Sequence, residues 1–234
     1  MKHTVAIFIV MFAALATVAP AVAVSHATAM TAAGIPLDAP WKVKIYQLAR
    51  TKFIHPAWGW QHCERNYLVA TRLAKGDSLA VDPDVLFAAS FLHDMAAFPP
   101  YAKKGVEHGD RAAQTSEAVL RDAGFPMSKF AAVQAAERGH MYYSDAGSRP
   151  EAIVLHDADS LDFLGTIGAA RMIALTGEKA RDFSAAVTAL RGFVHDIPPR
   201  LLTKTARQIG AQRATELRTM LGELQRESIN GKAM

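Results

Sequence analysis

Apolar positions along this chain recur with a helical period, and strand-like alternation of Val, Ile and Thr is scarce. Trp41, Ile45, Leu48 and Ala49 share one face of a helix predicted over 41–53, with Asp38 as its cap and Pro40 at its opening. A second helix is predicted from Gly59-Trp60-Gln61-His62 to Leu73 or Ala74, closed by Gly76 and Asp77. Asp82-Pro83 caps a third, whose residues Val85 to Leu92 are apolar almost all round, the mark of a buried helix. It runs straight into His93-Asp94. Further helices are predicted from Glu107 to Asp122, closed by Gly124, and from Ser128 to Arg138. Glu151 to Leu175 reads as one long helix or two short ones broken near Gly165. Helices over 179–195 and 199–227, parted by Ile197-Pro198-Pro199, complete an all-α bundle of about seven or eight helices.

The first residues follow a different pattern. Lys2 and His3 precede an apolar run from Val5 to Val18, then Pro20 and Ala21-Val22-Ala23, with no acidic residue before Asp38. This is the layout of a signal peptide over 1–23, with cleavage after Ala23 or as late as Ala27. The run falls short of the roughly 20 residues that span a bilayer, so stable membrane insertion after cleavage is not expected. The chain is therefore expected to be exported, periplasmic or secreted. Residues 24–37 show no period and read as a linker, leaving 38–228 as the folded domain.

Composition adds limits. With 234 residues, half of them hydrophobic, one substantial core is expected. A formal charge of +4 without a dense Lys/Arg block gives no nucleic-acid footprint. Cys63 is the only cysteine, so no intrachain disulfide can form.

The candidate chemistry is carried by histidines and aspartates set among apolar residues. His93 and Asp94 place an imidazole and a carboxylate at the end of a buried helix, two ligand types that suit a divalent cation. His62 opens the second helix, with Arg65 and Asn66 one turn on along the same face. In His156-Asp157-Ala158-Asp159-Ser160-Leu161-Asp162, Asp157 and Asp159 stand about 200° apart on a helix and cannot both face one ion. Asp159 and Asp162 do share a face, which makes Asp162 a supporting partner one turn from a ligand. Two histidines and two carboxylates around a divalent ion sum to near neutrality, so such a set tolerates burial. From the residues alone, either Asp157 or Asp159 can be the fourth member.

This ordered set resembles the HD-domain metal-dependent phosphohydrolases, over residues from about 45 to 175. Their signature is a histidine, an adjacent His-Asp and a distant aspartate on separate helices, matched by His62, His93-Asp94 and the 157–162 segment. The likeness is greatest to small bacterial members whose last motif reads Asp-Ala-Asp-x-Leu-Asp, followed by glycines and an arginine, here Gly165, Gly168 and Arg171. The resemblance implies His62, His93, Asp94 and Asp159 as ligands of a divalent ion (Mn, Fe, Co, Ni, Zn or Mg), with Asp157 and Asp162 supporting them. It also implies roles for His108 and His140, as phosphate contacts, proton donors or ligands of a second ion. A doubled histidine at His140 is missing, which favours one ion. Lys103, Lys104 and Arg111 lie close in sequence to His108 and are candidates for binding phosphate. The expected function is hydrolysis of a phosphate ester of a nucleotide-like or other small molecule, with Asp94, His108 and His140 as catalytic candidates. Hydration or hydrolysis of a non-phosphate substrate, or a metal-containing binding module, are the alternatives.

Overall fold

The computed structural model describes residues 29–176 and 182–229. The expected signal segment, 1–27, and the predicted helix start at Lys179 lie outside them. The described residues form nine α-helices: α1 Pro40–Lys52, α2 Trp60–Gly76, α3 Pro83–Leu92, α4 His108–Ala123, α5 Phe130–Gly139, α6 Pro150–Leu161, α7 Gly165–Ala174, α8 Phe183–Asp196 and α9 Lys204–Glu227. Single 3-10 turns occur at Met95–Ala97, Met127–Lys129 and Pro198–Arg200. The fold is all-α, as the periodicity requires.

α3 is the axis of the bundle. Every residue from Val85 to Leu92 is buried, and α1, α2, α5 and α6 all pack on it. Phe87 stacks on Phe91 at 4.5 Å and takes the edge of Trp41 from α1 at 5.5 Å. A helix apolar on all sides leaves solvent no face, so its C-terminal end delivers His93 and Asp94 into the interior. Its N-terminal end is fixed by the Asp82 carboxylate, which accepts from the amides of Asp84 and Val85. One apolar cluster joins α1, α3, α4 and α5, and a second gathers α2 with α6 to α9.

Three expectations are corrected. Residues 29–37, assigned to a linker, form a tight turn held by Thr31 N to Ile35 O (2.9 Å) and Leu37 N to Ala29 O (2.7 Å). Gly34, at φ 79°, lets the chain reverse there, and Ile35 and Leu37 enter the core two residues apart. The cap of α1 is Ala39 rather than Asp38, whose carboxylate instead accepts from Lys42 Nζ at 2.7 Å. The last helix begins at Lys204, five residues later than predicted, because Thr203 caps it through Ala206 N.

The stretch 151–175 is two helices. Gly165 at φ 67° separates α6 from α7, and a Cβ on Gly168 would lie 2.2 Å from the Phe163 backbone. This close turn brings Asp162 and Arg171 together. No helix among the described residues is long and apolar enough to cross a membrane.

Candidate metal centre

Three helices meet where α3 ends. α2 contributes His62 from its first turn, α3 delivers His93 with Asp94 just beyond it, and α6 contributes Asp159 from its last turn. His62 Nε2 lies 3.1 Å from Asp159 Oδ1, 3.3 Å from His93 Nε2 and 3.5 Å from Asp94 Oδ2. His93 Nε2 is also 3.5 Å from Asp94 Oδ2. Donors about 2.1 Å from one shared ion lie about 3.0–3.4 Å apart, so these separations suit a small cation at their centre. Asp159 Oδ2 is buried with no hydrogen-bond partner, as a carboxylate oxygen awaiting an ion would be.

The ring orientations are set from behind. His62 Nδ1 donates to Asp162 Oδ2 at 2.7 Å, and His93 Nδ1 donates to Ser90 O at 3.0 Å. Each bond fixes the tautomer and turns the Nε2 lone pair inward. Asp162 also receives Arg65 through Nε and Nη2 and lies 3.1 Å from Arg171 Nη1. These partners hold its carboxyl well below the usual carboxylate range despite burial.

A second pair of rings flanks Asp94. His140, the residue just past α5, and His108, the first of α4, put their Nε2 atoms 3.6 and 3.5 Å from Asp94 Oδ1. The two Nε2 atoms are 3.1 Å apart. Asp94 thus turns one oxygen to His62 and His93 and the other to His108 and His140. His140 Nδ1 donates to Glu137 O at 2.6 Å, while His108 Nδ1 donates to Glu107 Oε1 at 2.7 Å. The arrangement offers two overlapping sets of metal-binding groups, His62–His93–Asp159 and His93–Asp94–His140.

Proton affinities report the excess of negative charge. Burial and the nearby Arg171 oppose a charge on His62, yet Asp159, Asp162 and Asp94 raise it to about 9. Burial likewise opposes a charge on His140, and Asp94 with Asp159 overcomes it, again to about 9. Burial lowers His93 to about 4, and the positive rings of His140 and His62 beside it act in the same direction. The carboxylates draw in positive charge, and a bound dication would take the place of the proton on His62.

Not every sequence candidate is here. The Asp157 carboxylate points the other way, accepting from Leu202 N at 2.8 Å and Thr203 N at 2.7 Å ahead of α9. The 200° separation on α6 is the cause, and Asp157 is not a partner of the ligands. Lys103 and Lys104 are exposed on the loop before α4, and Arg111 Nε is occupied by Tyr101 O at 3.0 Å. None of the three lines the cavity over the centre, which is about 310 Å³ and bounded by Trp58, Asp94, Ala97, His108, Met141, Asp159, Phe163 and Arg171. Asn66 shares the face of His62 on α2. Its Nδ2 donates to Asp159 Oδ1 at 3.3 Å and lies 3.1 Å from His62 Nε2, inside the cluster. The signal was its position one turn after His62.

The division between the two aspartates gives a test. Asp159→Ala is expected to remove most bound metal at equal protein recovery. Asp157→Ala should keep the metal but leave two amides short of an acceptor, costing about 1–3 kcal/mol. Metal content and urea midpoints on the same preparations check both, and a reversed outcome would mean that α6 is rotated.

The HD-domain family model matches residues 59–164, which run from the cap of α2 to the turn before α7. Residues 59–164 are an HD domain. HD domains bind divalent metal ions, and the four convergent residues lie within the matched segment. No curated protein matches the chain in sequence. Among solved structures, Bacillus subtilis YpgQ in complex with ADP is 18% identical, with TM-score 0.61, covering 80% of this chain and 97% of that one. A Lactobacillus plantarum protein is 23% identical, with TM-score 0.62 and coverage of 80% and 96%. A predicted HD superfamily hydrolase from an uncultured Thermotogales bacterium is 24% identical, with TM-score 0.56 and coverage of 80% and 90%. These likenesses extend the shared fold beyond the matched segment.

Proposed function

We propose that this HD domain is a metal-dependent hydrolase of a phosphate ester carried by a nucleotide-like or other small molecule. The carrying observation is Asp94, which faces the metal-directed histidines with one oxygen and His108 with the other, on the wall of an open cavity. His62, His93, Asp94 and Asp159 would hold one divalent ion, whose chemistry is Lewis-acid polarisation of the phosphoryl group and acidification of water. Asp94 orients and accepts a proton from the attacking water through Oδ1. His108, held through Nδ1 by Glu107, presents Nε2 to the cavity and protonates the leaving oxygen. The buried His140 lies behind it and supplies positive charge toward the phosphate. ADP in the YpgQ complex supports a phosphorylated ligand for this fold.

The test is turnover of a phosphoester panel by protein stripped with chelator and reloaded singly with Mn, Fe, Co, Ni, Zn or Mg. Hydrolysis should appear only with added metal. A folded, loaded protein that turns over nothing would sink the hydrolase reading. We also propose export with cleavage near residue 23 or 27. Mass spectrometry of an envelope fraction should show a mature start at Val24 or Thr28, and an intact Met1 in cytosol would refute it.

A further inference from the structure

We infer that the cavity over the centre selects a phosphomonoester whose leaving group is small and aromatic or apolar, and disfavours polyphosphates; this rests on the hydrolase reading. The chemistry of the walls carries the inference. Asp94, Asp159 and His108 supply the polar part, while Trp58, Ala97, Met141 and Phe163 surround it with apolar surface. The aromatic members are rigid. Trp58 stacks on His55 with centroids 3.6 Å apart, and Phe163 is held between the Arg171 guanidinium at 4.7 Å and Phe193 at 5.0 Å. A ring entering beside them meets preformed faces, so little ordering cost offsets its burial.

Charge points the same way. Among the described residues lining the cavity, Arg171 is the one permanent cation, and it is committed. Its Nε donates to Ala57 O at 2.6 Å and its Nη1 to Asp162 O at 2.9 Å, with Asp162 Oδ2 3.1 Å away. Arg65 lines a neighbouring cavity and is bound to the same carboxylate. One phosphate can be matched by a divalent ion and His108. Each additional phosphate would bring charge toward Asp94 and Asp159 with no cation left to receive it. At about 310 Å³ the cavity is also near the lower bound for small-molecule sites.

Calorimetric titration of manganese-loaded protein with benzylphosphonate, methylphosphonate and ADP tests the assignment. Benzylphosphonate should bind about ten-fold more tightly than methylphosphonate, and ADP no more tightly than methylphosphonate. Trp58→Ala should erase the benzyl advantage while leaving methylphosphonate unchanged, and Phe163→Leu, a milder change, should reduce it. Tighter binding of ADP than benzylphosphonate overturns the inference, as does an equal loss of both phosphonates in the two variants. Turnover of phenyl phosphate, measured in parallel, separates the two claims. No turnover with the benzyl preference intact overturns the hydrolase reading and supports the selective cavity. Failure to bind either phosphonate overturns the cavity assignment.

Discussion

Alanine at His93, or asparagine at Asp94, is expected to leave a folded protein that holds no stoichiometric metal and lacks the proposed hydrolysis. His93 Nε2 faces His62 Nε2 at 3.3 Å and Asp94 Oδ2 at 3.5 Å, so its removal opens the donor set from the α3 side. The Asp94→Asn side chain keeps its shape but takes away one of the two charges that balance a dication. It also removes the carboxylate base that lies beside His108 and His140. Both losses should exceed the roughly 10–100-fold effect of removing an outer hydrogen-bond partner. The α3 core ends at Leu92, and circular dichroism should show unchanged helix content. Metal analysis and turnover on the same preparations decide the matter. Full activity in either variant after chelation and dialysis contradicts the metal-hydrolase reading.

Asp162→Asn should cost both stability and metal affinity, for separable reasons. Arg171 is buried, and its guanidinium has Asp162 as its carboxylate partner. An uncompensated buried charge costs about 3–5 kcal/mol, whereas Arg65, a third exposed, relaxes into water at little cost. His62 loses the carboxylate that fixes its tautomer, and metal affinity should fall about 10–100-fold. The double variant Asp162→Asn, Arg171→Met should recover much of the urea midpoint without recovering metal affinity. Normal metal binding by Asp162→Asn would show that another group orients His62.

What could be read from the sequence was what is local. A fully apolar helix between Asp82-Pro83 and His93-Asp94 has one place to go, and that fixed both the core and the point where the ligands emerge. The helical angle between Asp157 and Asp159 showed that they diverge, but not what each would meet. Asp157 serves two amides 45 and 46 residues away, a partnership no local pattern reveals. Nearness in sequence misled for Lys103, Lys104 and Arg111, because the loop carrying two of them turns outward while α4 begins at His108. The aromatic wall was invisible for a related reason. Trp58 sits in the break between α1 and α2, and Phe163 in the turn between α6 and α7, where periodicity carries no signal. The turn at 29–37 was missed because two buried residues are too few to show a period.

Two carboxylates outside the donor set join the ligand helices to α9. Asp77, just past α2, accepts from Lys204 N at 2.6 Å and Thr205 N at 2.9 Å, while Asp157 of α6 takes the two preceding amides. Four consecutive backbone amides, 202 to 205, are therefore clamped by the helices that carry His62 and Asp159. The HD match stops at residue 164, yet α9 lies in the same thermodynamic circuit as the centre. Ion occupancy and docking of the C-terminal helix are therefore expected to be linked: an ion that stiffens α2 and α6 should slow hydrogen exchange at these amides, and by linkage detaching α9 should weaken the hold on the ion.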